Sequence, residues 1–567
     1  MAGATRLRRW AGLAGAIALA CVLASAQPAS PAAALHDLDP TTLAAYVSLR
    51  FSSAVPPSVI RTVLAGEGFS QRDLDLVTAD ASPANSSSAP TGPVGSVSFS
   101  QQISQDTLPC PTSDPTPCEL DTQVEPDIAV NPVSPGNLVG VFQQGRFANG
   151  GSVDPGWAAS FDGGKTWPYK GNAPGLTVAV TPRPTAGPGA PFARASDPVV
   201  AFDRKHKNVF LNTIAVSDPG CAVFCDTADV VNISGNGGKT FGPPVVVHED
   251  DSVPGVTPVV FNDKNWIVTD NTPTSPHYGR TYAAWDQVRC VDEGCNVFSS
   301  QPVLVSYSDD GGKTWQGPVQ ATDEQPGSAH GEVGVQPVVL PNGDVVIVYA
   351  DAQAGAFTFF GSYKAIRSGD GGKTWSSPRT IDATDPFLEE SASLRAPNVP
   401  SATADGSTIF VAFADQRFGP GRNDILLTSS TDEGQTWSPS LNATPAEIGL
   451  DHFNPDIAAV GGVVHLTYRT RAPGNLNASP RVDAVYRALN GAGVTTAGPV
   501  QLSAPSDASV AAFTTVAGIP LKFFGDYAGI AATSTAAYPI WDKAQNFAGQ
   551  QPNPTNTHQR SFSARVQ

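Results

Sequence analysis

The sequence predicts an all-β chain: a β-propeller of seven four-stranded antiparallel blades, with six blades as the alternative, preceded by a small helical module. Three observations predict it. One octapeptide recurs five times at spacings of 74, 74, 60 and 62 residues. Apolar or alternating runs of strand length flank each copy. Gly 54 and Pro 51 against a single Met give a turn-rich composition. Recurrence at a fixed period signals a repeat architecture, and period-two or short continuous apolar runs are strands rather than helices.

Taken from the start, Arg6, Arg8 and Arg9, an apolar run from Trp10 to Leu23 and Ala24-Ser25-Ala26 are ordered as a secretory signal over residues 1–26. The expectation is a secreted, extracellular protein. No later stretch reaches the ~20 apolar residues needed to span a bilayer, so no membrane span is expected. Residues 38–80 read as a helical leader module: Asp39-Pro40 opens a helix carrying Leu43, Tyr46, Val47 and Phe51 on one face, and Pro57 opens a second ending at Gly66. Residues 81–95, rich in Ser, Pro, Ala and Gly, read as a linker, and residues 96–567 as the repeat domain.

A net charge of −17 excludes nucleic acid as a partner, because a phosphate backbone repels an acidic protein. Beyond Cys21, six cysteines fall in close pairs, Cys110 with Cys118, Cys221 with Cys225 and Cys290 with Cys295. In an exported chain such spacing predicts three local disulfide staples. The eight His residues show no ligand spacing beside them, so no metal is expected; nor is any cofactor, since no phosphate loop or nicotinamide fingerprint occurs.

The octapeptides are Ser160-Phe-Asp-Gly-Gly-Lys-Thr-Trp167, Ser234-Gly-Asn-Gly-Gly-Lys-Thr-Phe241, Ser308-Asp-Asp-Gly-Gly-Lys-Thr-Trp315, Ser368-Gly-Asp-Gly-Gly-Lys-Thr-Trp375 and Ser430-Thr-Asp-Glu-Gly-Gln-Thr-Trp437. Each supplies a short acceptor side chain, glycine for positive φ and an aromatic to bury under a hairpin. Seven first strands recur as well, near Glu125, Ser196, Asp263, Gln336, Pro397, Asn454 and Gly525. The segment from Val94 reads as an outer strand that completes the last unit, ending at Gln567, so that the ring closes without a long exposed edge.

The octapeptides resemble the Asp-box, or bacterial neuraminidase repeat, of the sialidase superfamily. The resemblance implies that the boxes are structural turns between the third and fourth strands of a blade, and that function lies at the opposite mouth of the central channel. Aligning the first strands there brings together Asp127, Asp197, Asp263, Gln336, Asn398, Asp456 and Asp526, a polar ring suited to acid/base work or cation binding. The alternative is that each acceptor bonds backbone N–H groups at a strand entry.

Sialidases use a Tyr nucleophile paired with an acid, which by resemblance points to Tyr527, with Asp526, Asp127 and Asp197 as further catalytic candidates. Glu332, Glu389 and Glu390 are possible partners of the Tyr. Asp263, Gln336, Asn398 and Asp456 are candidates for substrate binding, with Arg194 and Arg395 as the guanidinium groups. Arg280, Arg417, Arg469 and Arg471 also fall near strand ends. The Phe-Arg-Ile-Pro motif of sialidases is absent; Phe192-Ala-Arg194 is the nearest segment. His277-Tyr278-Gly279-Arg280 is a candidate for lyase-type chemistry or a tight turn. The expected activity is glycoside hydrolysis on an extracellular glycan or glycoconjugate, against the alternative of a non-catalytic propeller that binds glycan, protein or a cation.

Overall fold

The computed structural model describes residues 95–567 except 112–113, 115, 117, 149, 181–190, 217–226, 251–258, 292–297, 324–329, 354–360, 384–393, 398, 419–421, 448, 474–479, 517–518 and 551–554. The signal and leader expected before residue 95 lie outside the described residues. Within them the chain is all-β, with one 3-10 turn at Ala508–Val510.

The strands follow one another as four-stranded antiparallel meanders, seven among the described residues. Their first strands are Cys118–Val130, Arg194–Asp203, Val259–Thr269, His330–Val339, Ser401–Asp405, Asp451–Val460 and Gly529–Thr533. These strands pack on one another in chain order, and the seventh returns to the first, so they form a ring. In the seventh sheet the outer strand comes from the far end of the domain: Val97–Gln102 pairs with Gln559–Val566, Val97 facing Val566 and Gln102 facing Phe562.

The core lies between sheets. Val139, Val141 and Trp157 of the first sheet pack with Val200, Val209 and Leu211 of the second. Val199 and Phe210 of the second pack with Ile267 and Trp285 of the third. Ala158 and Leu138 of the first meet Tyr538 and Ile540 of the seventh. A sheet buried on both faces needs apolar residues at successive positions, which is why Val345-Val-Ile-Val-Tyr349 is buried throughout instead of alternating.

Each octapeptide folds into the same turn at the end of a third strand. In the first, Gly164 N–H donates to Ser160 Oγ (2.9 Å), Thr166 N–H and Oγ1 donate to Asp162 (2.9 and 2.7 Å), and Trp167 Nε1 donates to Gly164 O (3.1 Å). The turns also tie neighbouring sheets. Asn137 Nδ2 donates to Gly237 O (2.9 Å), Asn208 Nδ2 to Gly311 O (2.9 Å) and Arg280 Nη1 to Gly371 O (2.8 Å). Arg280 further grips Asp309 with two N–H groups at 2.8 and 2.7 Å, so in the His277–Arg280 motif the arginine rivets the third and fourth sheets.

Of the expected staples, Cys110–Cys118 is formed with Cα atoms 5.6 Å apart. Cys290 is also disulfide-bonded, while Cys221, Cys225 and Cys295 lie outside the described residues.

Candidate functional site

Because first strands run away from one end of the ring and the box turns close the other, the strand entries share one mouth. Their register there has a common irregularity. The ladder shifts between Val124 and Asp127, Ser196 and Val199, Asp263 and Trp266, Val333 and Gln336, and Phe453 and Asp456. In each case the first residue inside the shift has positive φ: Glu125 (+55°), Asp197 (+52°), Lys264 (+39°), Gly334 (+72°) and Asn454 (+49°). Gly525 (+88°) does the same ahead of the seventh strand. These are β-bulges, which re-aim side chains.

The bulge corrects the ring expected from sequence. Asp127, Gln336 and Asp456 are equivalent, but they stand beyond the bulge and face the neighbouring sheet. Asp127 Oδ2 accepts from Val200 N (2.8 Å), Gln336 Oε1 from Ala402 N (3.1 Å) and Asp456 Oδ2 from Ile530 N (2.7 Å). All three staple one first strand to the next. Asp197 occupies the bulge itself, Asp263 precedes it, and Asp526 follows Gly525, so these three are not equivalent to the staples or to one another. Asn398 lies outside the described residues.

What converges at the mouth is a different set, contributed chiefly by the seventh, first, second and third sheets. Asp526 is gripped by Arg395 through Nε (3.0 Å) and Nη2 (2.7 Å); the two side chains are 16% and 12% exposed. The parallel pairing of Leu394–Arg395 with Ile519–Phe523, Arg395 beside Phe523, brings this arginine in. Asp526 N–H donates to Glu125 Oε1 (3.3 Å). Gln143 Nε2 donates to Glu125 and to Ser196 Oγ (2.9 Å), and Ser196 Oγ donates to Asp197 Oδ1 (2.6 Å). Lys264 Nζ stands 3.8 Å from Asp197 Oδ2.

Tyr527 floors this arrangement. It is 3% exposed, and its hydroxyl reaches from the seventh sheet to the second, donating to Pro198 O (3.1 Å). Lys264 Nζ is 3.5 Å from the centre of its ring, and Trp266 meets that ring edge-on at 5.8 Å. Asp263, Asp526, Trp266 and Ser196 are the partly exposed members of the group.

Crowding sets the protonation of these acids. Burial, then the charge of Asp197, pushes the Asp263 carboxyl up to about 7. Burial, then Asp197 and Asp526, holds Glu125 well above the ordinary carboxylate range. Burial also raises Asp127 to about 6 and Asp456 to about 8, and holds the Tyr527 phenol well above its usual value. Each is the response expected when ionisation is penalised by a low dielectric and by like charges.

The other arginines named from sequence are engaged elsewhere. Arg194 bonds Asp114 (2.6 Å), Gly150 O (2.9 Å) and Thr116 (3.0 Å). Arg417 holds Asp415 and Asp382, and Arg471 holds Asp451. Arg469 is buried over the Phe524 ring at 4.9 Å. Glu332 accepts from Thr322 Oγ1 (2.7 Å) in the fourth sheet, and Glu389 and Glu390 lie outside the described residues. Sequence reasoning missed Glu125, Gln143 and Lys264. Their signal was the proline that follows several bulges: Pro126, Pro198 and Pro455 share one position, and aligning them in place of the carboxylates sets the register.

No curated protein matches the chain. Solved structures similar to it include the α-L-arabinanase of Penicillium chrysogenum (14% identity over 70% of this chain and 99% of that one, TM-score 0.41) and the leech intramolecular trans-sialidase (14%, 75% and 73%, TM-score 0.41). The α-L-arabinofuranosidase of Fusarium graminearum is a third (13%, 69% and 98%, TM-score 0.41). Residues 175–447 match the family model of the BNR repeat-like domain, a span that holds four of the five boxes. With those turns built alike, this span of the chain is similar to the BNR repeat-like domain.

Proposed function

We propose that the seven sheets are the blades of a β-propeller and that the protein is a secreted, carbohydrate-active BNR-repeat protein, a glycoside hydrolase acting on an extracellular glycan at the axial mouth. The observation that carries this reading is the convergence of Glu125, Asp197, Asp263 and Asp526 from four sheets onto one partly open site, with Lys264 and Arg395 among them.

Glycoside hydrolysis uses two carboxyl groups in different protonation states. Asp263 suits the acid: it is partly exposed and keeps its proton to about pH 7. Asp197, beside the Lys264 ammonium, suits the carboxylate that stabilises positive charge on the sugar or activates water. Asp526 is oriented by its two bonds from Arg395 to receive a sugar hydroxyl. Tyr527, with its hydroxyl given to Pro198 O, serves as the floor; a nucleophilic role would require that bond to break. Asp127 and Asp456 hold the strands on which the site stands.

The test is turnover of a panel of 4-methylumbelliferyl glycosides by the mature protein. Asp263→Asn should abolish turnover and Tyr527→Phe should leave it within about fivefold, since general acid catalysis contributes ~10²–10⁴-fold and a floor residue much less. Unchanged turnover in Asp263→Asn removes the assigned acid, and loss of turnover in Tyr527→Phe returns the tyrosine to the chemistry. The commitment of the Tyr527 hydroxyl favours a second reading, a propeller that binds glycan without cleaving it. Silence across the panel together with saturable oligosaccharide binding would select it.

A further inference from the structure

Lys264 is the unusual member of the mouth. It is a lysine at a position of positive φ, where the corresponding residues are Glu125, Asp197, Gly334, Asn454 and Gly525. It is 5% exposed, and its buried Nζ makes no hydrogen bond. Its neighbours are the Asp197 carboxylate at 3.8 Å and the faces of Tyr527 and Trp266 at 3.5 and 5.0 Å from the ring centres. An ammonium carries three N–H donors, and leaving them unmet away from water is costly. An oxygen acceptor would satisfy them.

The guanidinium groups around the mouth do not offer the same opening to a carboxylate sugar. Arg395 spends two N–H groups on Asp526, and Arg146, 2% exposed, donates to Phe513 O and stands 3.6 Å from Glu119. Both groups of Arg194 that could fork onto an anion are bonded to Asp114 and its surroundings. An anionic ligand entering beside Asp263 would meet Asp197 and Asp526, and like charges in such a confined site repel. Sugar hydroxyl groups match it instead, because each can donate to a carboxylate and accept from an ammonium. Trp266 offers an apolar surface beside these polar groups, a combination common in small-molecule sites.

We propose that the mouth takes an uncharged sugar and that Lys264 is its specificity-determining residue, donating to a hydroxyl oxygen of the ligand held between Asp263 and Trp266. The inference rests on the glycan reading above and adds to it the charge class of the substrate and the residue that selects it.

The test measures kcat/KM for neutral 4-methylumbelliferyl glycosides (arabinofuranoside, galactoside, N-acetylglucosaminide) and for the corresponding sialoside, with the full mature chain. If nothing is turned over, the dissociation constants of neutral and sialylated oligosaccharides are read from tryptophan fluorescence. The expected result is at least a tenfold preference for a neutral sugar, and a KM or dissociation constant for that sugar raised at least tenfold in Lys264→Met. Thermal melting confirms that the variant is folded. Preference for the sialoside, or unchanged affinity in folded Lys264→Met, overturns the inference and leaves the glycan reading standing. Absence of both turnover and binding for every sugar overturns the glycan reading and this inference with it. Should Lys264→Met not fold, Lys264→Arg decides: charge retained on a longer, planar head must still raise KM at least threefold for the neutral sugar, and a wild-type KM overturns the proposal.

Discussion

The two ends of the ring use the same residue, aspartate, in opposite ways. At the box end Asp432 is partly exposed, and its carboxylate receives the Thr436 hydroxyl, the Thr436 amide and the Ser430 hydroxyl, which together bring it down to about 2. At the mouth, burial and neighbouring charge take Asp263 up to about 7, and on the strands that carry the mouth burial takes Asp456 up to about 8. A carboxylate saturated with donors in water keeps its charge and builds a turn. A carboxyl crowded with other acids keeps its proton and becomes available for chemistry or for a buried hydrogen bond. Residue type alone therefore says nothing about role; the number of donors and the depth of burial decide it.

Substitutions at three positions and one titration break or sharpen this contrast. The largest effect is expected for Asp456→Ala, which leaves the buried Ile530 N–H and Ser401 hydroxyl without their acceptor and costs about 3 kcal/mol in chemical denaturation. Asp456→Asn keeps an acceptor and should lose less than half of that; equal losses would mean that the charge, not the hydrogen bond, matters there.

Next is Gly371→Ala at the box end. Gly371 has φ +77°, and an added Cβ would lie 2.5 Å from Arg280 Nη1, so the rivet between the third and fourth sheets must shift at a cost of about 2 kcal/mol. A melting temperature equal to that of the parent would show that the rivet is dispensable.

The pH dependence should have opposite signs at the two ends. Asp263 and Asp456 hold protons in the folded chain up to about pH 7 and 8, whereas unfolded aspartate titrates near ~3.9. Between those values the folded state binds more protons, so stability is fully present below about pH 4 and declines as pH rises to about 8. Asp310, Asp370 and Asp432, lowered to about 2, act in reverse and lose their contribution as pH falls from about 4 toward 2. Melting scans from pH 2 to 9 should show a maximum in mildly acidic solution. A melting temperature rising steadily from pH 5 to 9 would contradict the protonation assigned to the mouth.

The smallest effect is Glu433→Gly, which relieves positive φ (+64°) at the one box position not occupied by glycine but removes the contacts to Arg367 and Asn342. The terms oppose, and the net change should be under about 1 kcal/mol. A loss above 2 kcal/mol would make Glu433 a rivet like Arg280.

Most of the architecture was legible in the sequence because it is written in local chemistry. The boxes announce their own turns, and the strands after Asp344 and Thr408 are too β-branched and apolar to be anything else. The closing strand near Val97 was readable from its likeness to the other outer strands. The site was legible only by neighbourhood. Asp197, Asp263, Asp526, Tyr527 and Arg395 do gather at the mouth, whereas Asp127, Gln336 and Asp456 turn out to be staples. The cause is a bulge whose left-handed position holds Glu, Asp, Lys or Asn as well as Gly. With no fixed residue type to mark it, one extra residue per strand displaces any alignment made on carboxylates. Arg395 and Asp526 are 131 residues apart, and only the short parallel pairing of Leu394–Arg395 with Ile519–Phe523 introduces them.

The clasp of Val97–Gln102 on Gln559–Val566 bears on how the protein is made. A ribosome that has delivered six complete sectors still lacks the partner for the strand it made first, so that strand must wait, and the hub between the last sector and the first cannot be sealed. Closure is therefore expected last, and joining Gln559–Val566 to Val97–Gln102 through a short peptide while opening the chain between two other sectors should give a rearranged protein that assembles into the same ring.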